Sequence, residues 1–172
     1  RVWGGEDLHL GIYEYPDEPI FDASRRTVQK MADQVQLNEK TRVLDVGAGF
    51  GGSARFLAKT YGCPVTCLIL SEKENERNRK MNAEQGVAHL IEVIDGNFEN
   101  LPFENESFDV VWSEDAILHS GEKEKVIREV ARVLKKGGHF VFTDPMQADD
   151  CPDGVLDAIL TRINLDSLGS VK

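Results

Sequence analysis

Cysteine is scarce in this 172-residue chain, and its three copies, Cys63, Cys67 and Cys151, have neither metal-ligand spacing nor an even count. A disulfide framework and a metal site are therefore not expected, and a reducing, cytoplasmic setting is the default. Long apolar runs are missing too. The longest, Val65 to Leu70, is interrupted by Thr66 and falls far short of the ~20 residues of a membrane-spanning helix. No charged-then-apolar leader pattern opens the sequence. Basic residues are in deficit, 20 Lys and Arg against 30 Asp and Glu, for a formal net charge of -10. That balance argues against nucleic-acid and membrane partners, which need clustered cations to neutralise phosphate, and it favours solubility. No repeat or interdomain linker divides the chain, and its 41% apolar content suits one sizeable core. The sequence opens on Arg1 and stops just after a helical pattern, so part of a longer protein is expected at both ends.

What is present is an alternation. Five apolar runs suit strands: Arg42 to Val46, Val65 to Leu70, Leu90 to Ile94, Asp109 to Ser113 and His139 to Thr143. Between them lie apolar residues three and four apart, as at Val126, Ile127, Val130, Val133 and Leu134. This pattern predicts an α/β fold, a Rossmann-like three-layer sandwich whose mostly parallel sheet has helices on both faces. Gly137 and Gly138 are expected to stop a helix whose last turn carries Lys135 and Lys136. Ser71, three residues before Glu74, reads as an N-cap in a capping box. Residues 1–20 are expected to form an irregular lid or arm, ahead of a first helix over Phe21 to Val35 and a cofactor-binding domain over 21–172.

The most informative stretch is "RVLDVGAGFGGSARFL", residues 42–57, an apolar strand running into glycines and then a helix. Gly47, Gly49 and Gly52 fit a dinucleotide fingerprint, while Gly47, Gly49 and Gly51 fit a D-x-G-x-G-x-G pattern headed by Asp45. The first strand-to-helix turn of such a sheet is the usual ligand site, because glycines let the backbone approach closely. Asp45 separates the two readings. A pyrophosphate on this helix N-terminus would be repelled by the carboxylate, whereas S-adenosylmethionine (SAM), with its ammonium and sulfonium, would be attracted.

"VLDVGAGFGG" also resembles the first motif of the class I SAM-dependent methyltransferases. The resemblance continues through "VTCLILSEKENERNR", "GNFENLPFENESFDVVWSEDAILHS" and "LKKGGHFVFTDP", from about Arg42 to Pro145. "WGGEDLHLGIY" with "WSEDAILHS" is similar to the small-amine branch, especially sarcosine/dimethylglycine N-methyltransferases of betaine synthesis. Phosphoethanolamine N-methyltransferases and tocopherol C-methyltransferases are relatives. The resemblance implies SAM as cofactor, with Asp45, Gly47 and Gly49 at its methionine end, Glu114 close by, and Asn97 and Phe98 beside the adenine. It also implies further strands beyond the fifth, which are expected to be absent from this chain. At the end of the second strand the family offers an acid to the ribose, but Ile69 stands here. Leu70, Ser71 or Glu74 is expected to substitute.

Methyl transfer from a sulfonium needs alignment of nucleophile, methyl and sulfur, and neither metal nor covalent intermediate. An amine acceptor must also lose its proton. Asp115 and His119, four apart, would share a face if "DAILHS" forms a helical turn, the acid holding an ammonium and the imidazole accepting its proton. The resemblance places this pair beside the substrate and makes His9, Tyr13 and Trp3 part of a lid. The expected activity is methylation of a small-molecule amine, best matched by sarcosine or dimethylglycine. Phosphoethanolamine N-methylation, phenolic C-methylation and a non-catalytic SAM- or nucleotide-binding module are the alternatives. Oligomeric state is not legible.

Overall fold

The computed structural model describes residues 6–163, 165 and 167–170. Its strands are β1 (Val43–Val46), β2 (Val65–Ile69), β3 (Ile91–Asp95), β4 (Phe108–Glu114) and β5 (Leu134–Thr143). They form one sheet in the order β3-β2-β1-β4-β5, with every neighbouring pair parallel. The helices are α1 (Ile20–Ala32), α2 (Gly52–Tyr61), α3 (Glu72–Glu84), α4 (Lys123–Val133) and a short, exposed α5 (Asp157–Ile163). A single 3-10 turn, Ile117–His119, follows β4. This is the Rossmann-like arrangement expected of the alternating pattern.

Both faces of the sheet are covered, which is why β1 is apolar on both sides except at Asp45. Side chains alternate along a strand, so Val43 and Asp45 share one face while Leu44 and Val46 share the other. On the first face Val43, Val65, Cys67 and Trp112 pack with Val28 and Met31 of α1 and Leu57 of α2. On the second, Leu44, Val46, Leu68 and Val111 pack with Val126, Val130 and Val133 of α4. Asp45 is thus a carboxylate on a core face, tolerated because it stands at the strand's end. Among the described residues no helix is long and apolar enough to cross a bilayer.

Two local expectations need correction. The first core helix begins at Ile20 and ends at Ala32, short of Val35. More consequentially, Lys135, Lys136, Gly137 and Gly138 belong to β5 and not to a helix end: α4 stops at Val133 and the chain turns directly into the strand. Leu134 pairs with Phe108, the register then shifts, and His139 pairs with Val110. Gly137, at φ 78°, absorbs the extra residues in a left-handed conformation, and Lys135 ion-pairs with Asp109 at 2.8 Å. Glycines that read as a helix stop are here a bulge in a strand.

Helix α3 is held without an apolar face. Its buried side chains are Asn75, Asn78 and Asn82, one stripe of amides. Asn78 and Asn82 accept hydrogen bonds from the fully buried guanidinium of Arg55 on α2, at 3.3 and 3.0 Å. Asn75 ties the ends of β2 and β3, donating to the Ile69 carbonyl and to Asp95.

Candidate cofactor and substrate site

From β1 the chain crosses to β2 and β3 on one side, then returns to lay β4 on the other. The carboxyl ends of β1 and β4 therefore flank the topological switch point, where open α/β sheets bind ligands. The glycine turn lies at this point. Gly47 takes φ 81°, and a Cβ there would come within 2.3 Å of the Ala116 Cβ, so only glycine lets the turn pass the loop after β4. Gly51, at φ 75°, is the left-handed N-cap of α2, and the side chain of Asn78 fills the space above it.

Asp45 and Glu114 enter this crevice from the ends of β1 and β4. Asp7 and His9 enter from the N-terminal arm, and all four line a small cavity with Gly47, Gly49, Gly52 and Ser53. Ser53 donates a hydrogen bond to Glu114 Oε2. His9 Nε2 stands 3.5 Å from Glu114 Oε1 and 3.8 Å from Asp7 Oδ1, and none of these three atoms has a hydrogen-bond partner. Burial pushes the Asp45 carboxyl well above its ordinary range, and the charges of Glu114 and Asp7 push it further. Burial also raises Glu114, against the opposing influence of His9 and Ser53. Three carboxyl groups around one turn, two of them with an orphaned oxygen, suit a ligand that brings a cation, and they oppose a phosphate.

The remaining expected residues fall differently. His9, assigned to the lid, is buried in the crevice itself; Tyr13 is exposed, and Trp3 lies outside the described residues. Leu70 is 74% exposed at the end of β2, while Ser71 caps α3 by accepting the Glu74 amide at 3.4 Å. Asn97 spends its carbonyl oxygen on the Glu99 amide at 2.8 Å, an Asx turn, and Phe98 packs against the α4-side core. Beside Ile69 in register stands Asp95, but Asn75 and Arg79 hold its carboxylate.

Asp115 and His119 do not form the expected helical pair. Asp115 has φ 50°, which breaks the helix before it starts, and only Ile117–His119 make a 3-10 turn. Its carboxylate is already engaged, accepting from the Leu10 amide at 2.6 Å and from the Thr143 hydroxyl at 3.0 Å. His119 is exposed, and among the described residues no hydrogen bond or ion pair joins it to Asp115. Its electrostatic neighbour is Asp144, after β5, whose carboxyl burial raises and whose Oδ1 accepts the Leu118 amide.

Three participants were not legible as site residues: Asp7, Ser53 and Arg55. Arg25 reaches from α1 to Asp7 at 2.8 Å and to the Gly52 carbonyl at 3.5 Å. Ser53 and Arg55 lie inside the stretch quoted for its glycines, on the first turn of α2, where a side chain can face the ligand. That position was the available signal for both.

A parallel sheet in this order, with a glycine turn and buried acids at its switch point, defines a Rossmann-like domain for a ligand with a cationic end. The chain belongs to the methyltransferase domain family, whose sequence model matches residues 44–142. It is 63% identical over 172 residues to a sarcosine/dimethylglycine N-methyltransferase of Aphanothece halophytica, covering 99% of this chain and 62% of that one. A glycine/sarcosine/dimethylglycine N-methyltransferase of Actinopolyspora halophila is 57% identical over 99% of this chain and 30% of its own length. Among solved structures, a candidate sarcosine dimethylglycine methyltransferase of Galdieria sulphuraria superposes with a TM-score of 0.92. It is 42% identical, over 99% of this chain and 66% of that one. The chain thus spans about three fifths of the Aphanothece protein.

Proposed function

We propose that this domain binds SAM and forms part of an enzyme that methylates the amine nitrogen of a small amino acid, sarcosine or dimethylglycine. The observation that carries the cofactor reading is the set of buried acids around the glycine turn. The substrate reading is supported by the similarity, at 57–63% identity, to proteins named for sarcosine and dimethylglycine N-methylation.

Bound SAM supplies an electrophilic methyl on a sulfonium. In this reading Asp45 and Glu114 hold its ammonium, with the orphaned Glu114 oxygen as acceptor. Gly47 and Gly49 admit its methionine end against the backbone. Leu70, exposed at the end of β2, gives the adenosine an apolar surface, and the ribose is held by backbone or by Ser71, because Ile69 has no acceptor. The acceptor amine approaches from the carboxyl ends of β4 and β5. There His119 is free to take its proton, with Asp144 nearby to stabilise the resulting imidazolium. Asp115 fixes the arm instead of holding the ammonium.

The test is product analysis on the full-length protein with methyl-labelled SAM and glycine, sarcosine, dimethylglycine or phosphoethanolamine. Label is expected in dimethylglycine and betaine. Label in phosphoethanolamine products alone would refute the acceptor but not the cofactor. With sarcosine, His119→Ala is expected to lower turnover about 10²-fold or more, the usual contribution of a general base.

A further inference from the structure

We propose that the arm segment Glu6–Leu10 is a plug that occupies part of the SAM crevice and must swing out before the cofactor can bind; this rests on the cofactor reading above. The cavity left under the arm, at the end of the crevice expected to take the methionine moiety, measures about 30 Å³, room for one or two waters. The arm is the reason. Leu8 lies over the glycine turn, close enough that a Cβ on Gly49 would be 3.1 Å from its Cδ1. The Asp7 carboxylate presses on Gly52 at the start of α2, where a Cβ would meet Oδ1 at 1.9 Å. His9 faces Glu114.

Asp7 behaves there as a tethered ligand. Its Oδ2 takes the Arg25 guanidinium at 2.8 Å, while its Oδ1, buried, has no hydrogen-bond partner. A carboxylate set between an arginine and the first residue of α2 occupies a place that suits the carboxylate of the cofactor's methionine end. The two cannot both be there, so cofactor and arm compete for Arg25.

Further contacts fasten the plug. Glu6 pairs with Arg55 at 2.7 Å, and the Leu10 amide donates to Asp115 at 2.6 Å. The Ile12 amide donates to the Ala23 carbonyl at 3.1 Å and to the Thr27 hydroxyl at 3.1 Å, and the Arg26 guanidinium donates to the Ile12 carbonyl at 2.6 Å. Gly11 is the tightest point. A Cβ on it would stand 2.6 Å from the Ala23 Cβ and 2.7 Å from the Ala23 backbone. Gly11→Ala therefore levers the arm off α1 without touching a crevice residue, and Asp7→Ala removes the tethered carboxylate.

The experiment uses the full-length protein, wild type and both variants, with SAM binding by titration calorimetry and stopped-flow fluorescence. Apparent affinity is the intrinsic affinity scaled by the open fraction, so each variant is expected to bind SAM about tenfold more tightly. Wild-type association is expected to level off at high SAM at the rate of arm opening, and both variants should raise that ceiling. Weaker or unchanged SAM binding in either folded variant overturns the plug and makes the arm a wall of the binding site. Absence of SAM binding in all three proteins overturns the cofactor reading, and the plug with it. Circular dichroism verifies that each variant is folded, and if one is not, the other decides.

Discussion

At the residue scale, Asp45 joins the cost of burying a charge to the attraction of a cationic ligand. Its folded pKa is raised, chiefly by burial, so between its unfolded value, ~3.9, and that higher folded value the native state binds the extra proton. Stability from this group therefore falls as pH rises through that window and recovers as pH is lowered. Asp45→Asn keeps the shape and removes the titration. Thermal unfolding of this variant at neutral pH should show a gain in stability and a flatter stability profile across the window. Calorimetry on the same variant should show SAM binding weakened about tenfold or more. Loss of stability together with unchanged SAM affinity would remove Asp45 from the site. This residue was legible because everything that defines it is local: a strand, an acid at its end and a glycine two residues on. Asp115 was misread for a reason equally local but invisible in the residue spacing. A positive φ at Asp115 turns an i, i+4 pair into two residues without a common face.

At the element scale, long sequence separation decides what could be read. The alternation of strands and helices is a short-range signal, and β1 to β4 lie within one residue of their expected bounds, while β5 starts at Leu134, five residues before the expected His139. The fastening of the arm is not short-range: Asp7 meets Arg25 across 18 residues, and Glu6 meets Arg55 across 49. Composition could not expose these pairs, because a charged arm reads as solvated until a partner is placed under it. Helix α3 shows the same limit. Its amide stripe looks like an exposed polar face, yet Asn78 and Asn82 dock it on the buried Arg55. Arg55→Ala would strip those amides and Glu6 of their shared donor. Since Glu6 is partly exposed, the expected cost is roughly 2–3 kcal/mol, below the ~3–5 of a fully buried pair. Urea unfolding measures it, and amide exchange should rise across Glu72–Glu84 and the arm together. A cost confined to a few tenths would mean that α3 is held by its backbone contacts alone.

At the scale of the whole molecule, the net charge of -10 and the buried acids of the crevice both favour a cationic ligand, and ionic strength separates them. Exposed charges are screened within ~10 Å at 0.1 M salt, but charges under an arm and a glycine turn are screened far less. SAM at a hundred times its dissociation constant should stabilise the native state by ~2.7 kcal/mol. For a domain of this size that is a rise in Tm of roughly 5–10 °C. NAD at the same concentration should produce no rise, because its pyrophosphate would meet Asp45 and Glu114 around the turn. If the buried acids make the choice, the contrast persists when sodium chloride is raised to ~0.5 M, where the Debye length has shrunk to a few ångströms. Loss of the contrast at high salt would transfer the selectivity to the exposed surface. A rise in Tm with NAD at either salt concentration would mean that Asp45 does not govern what the glycine turn holds.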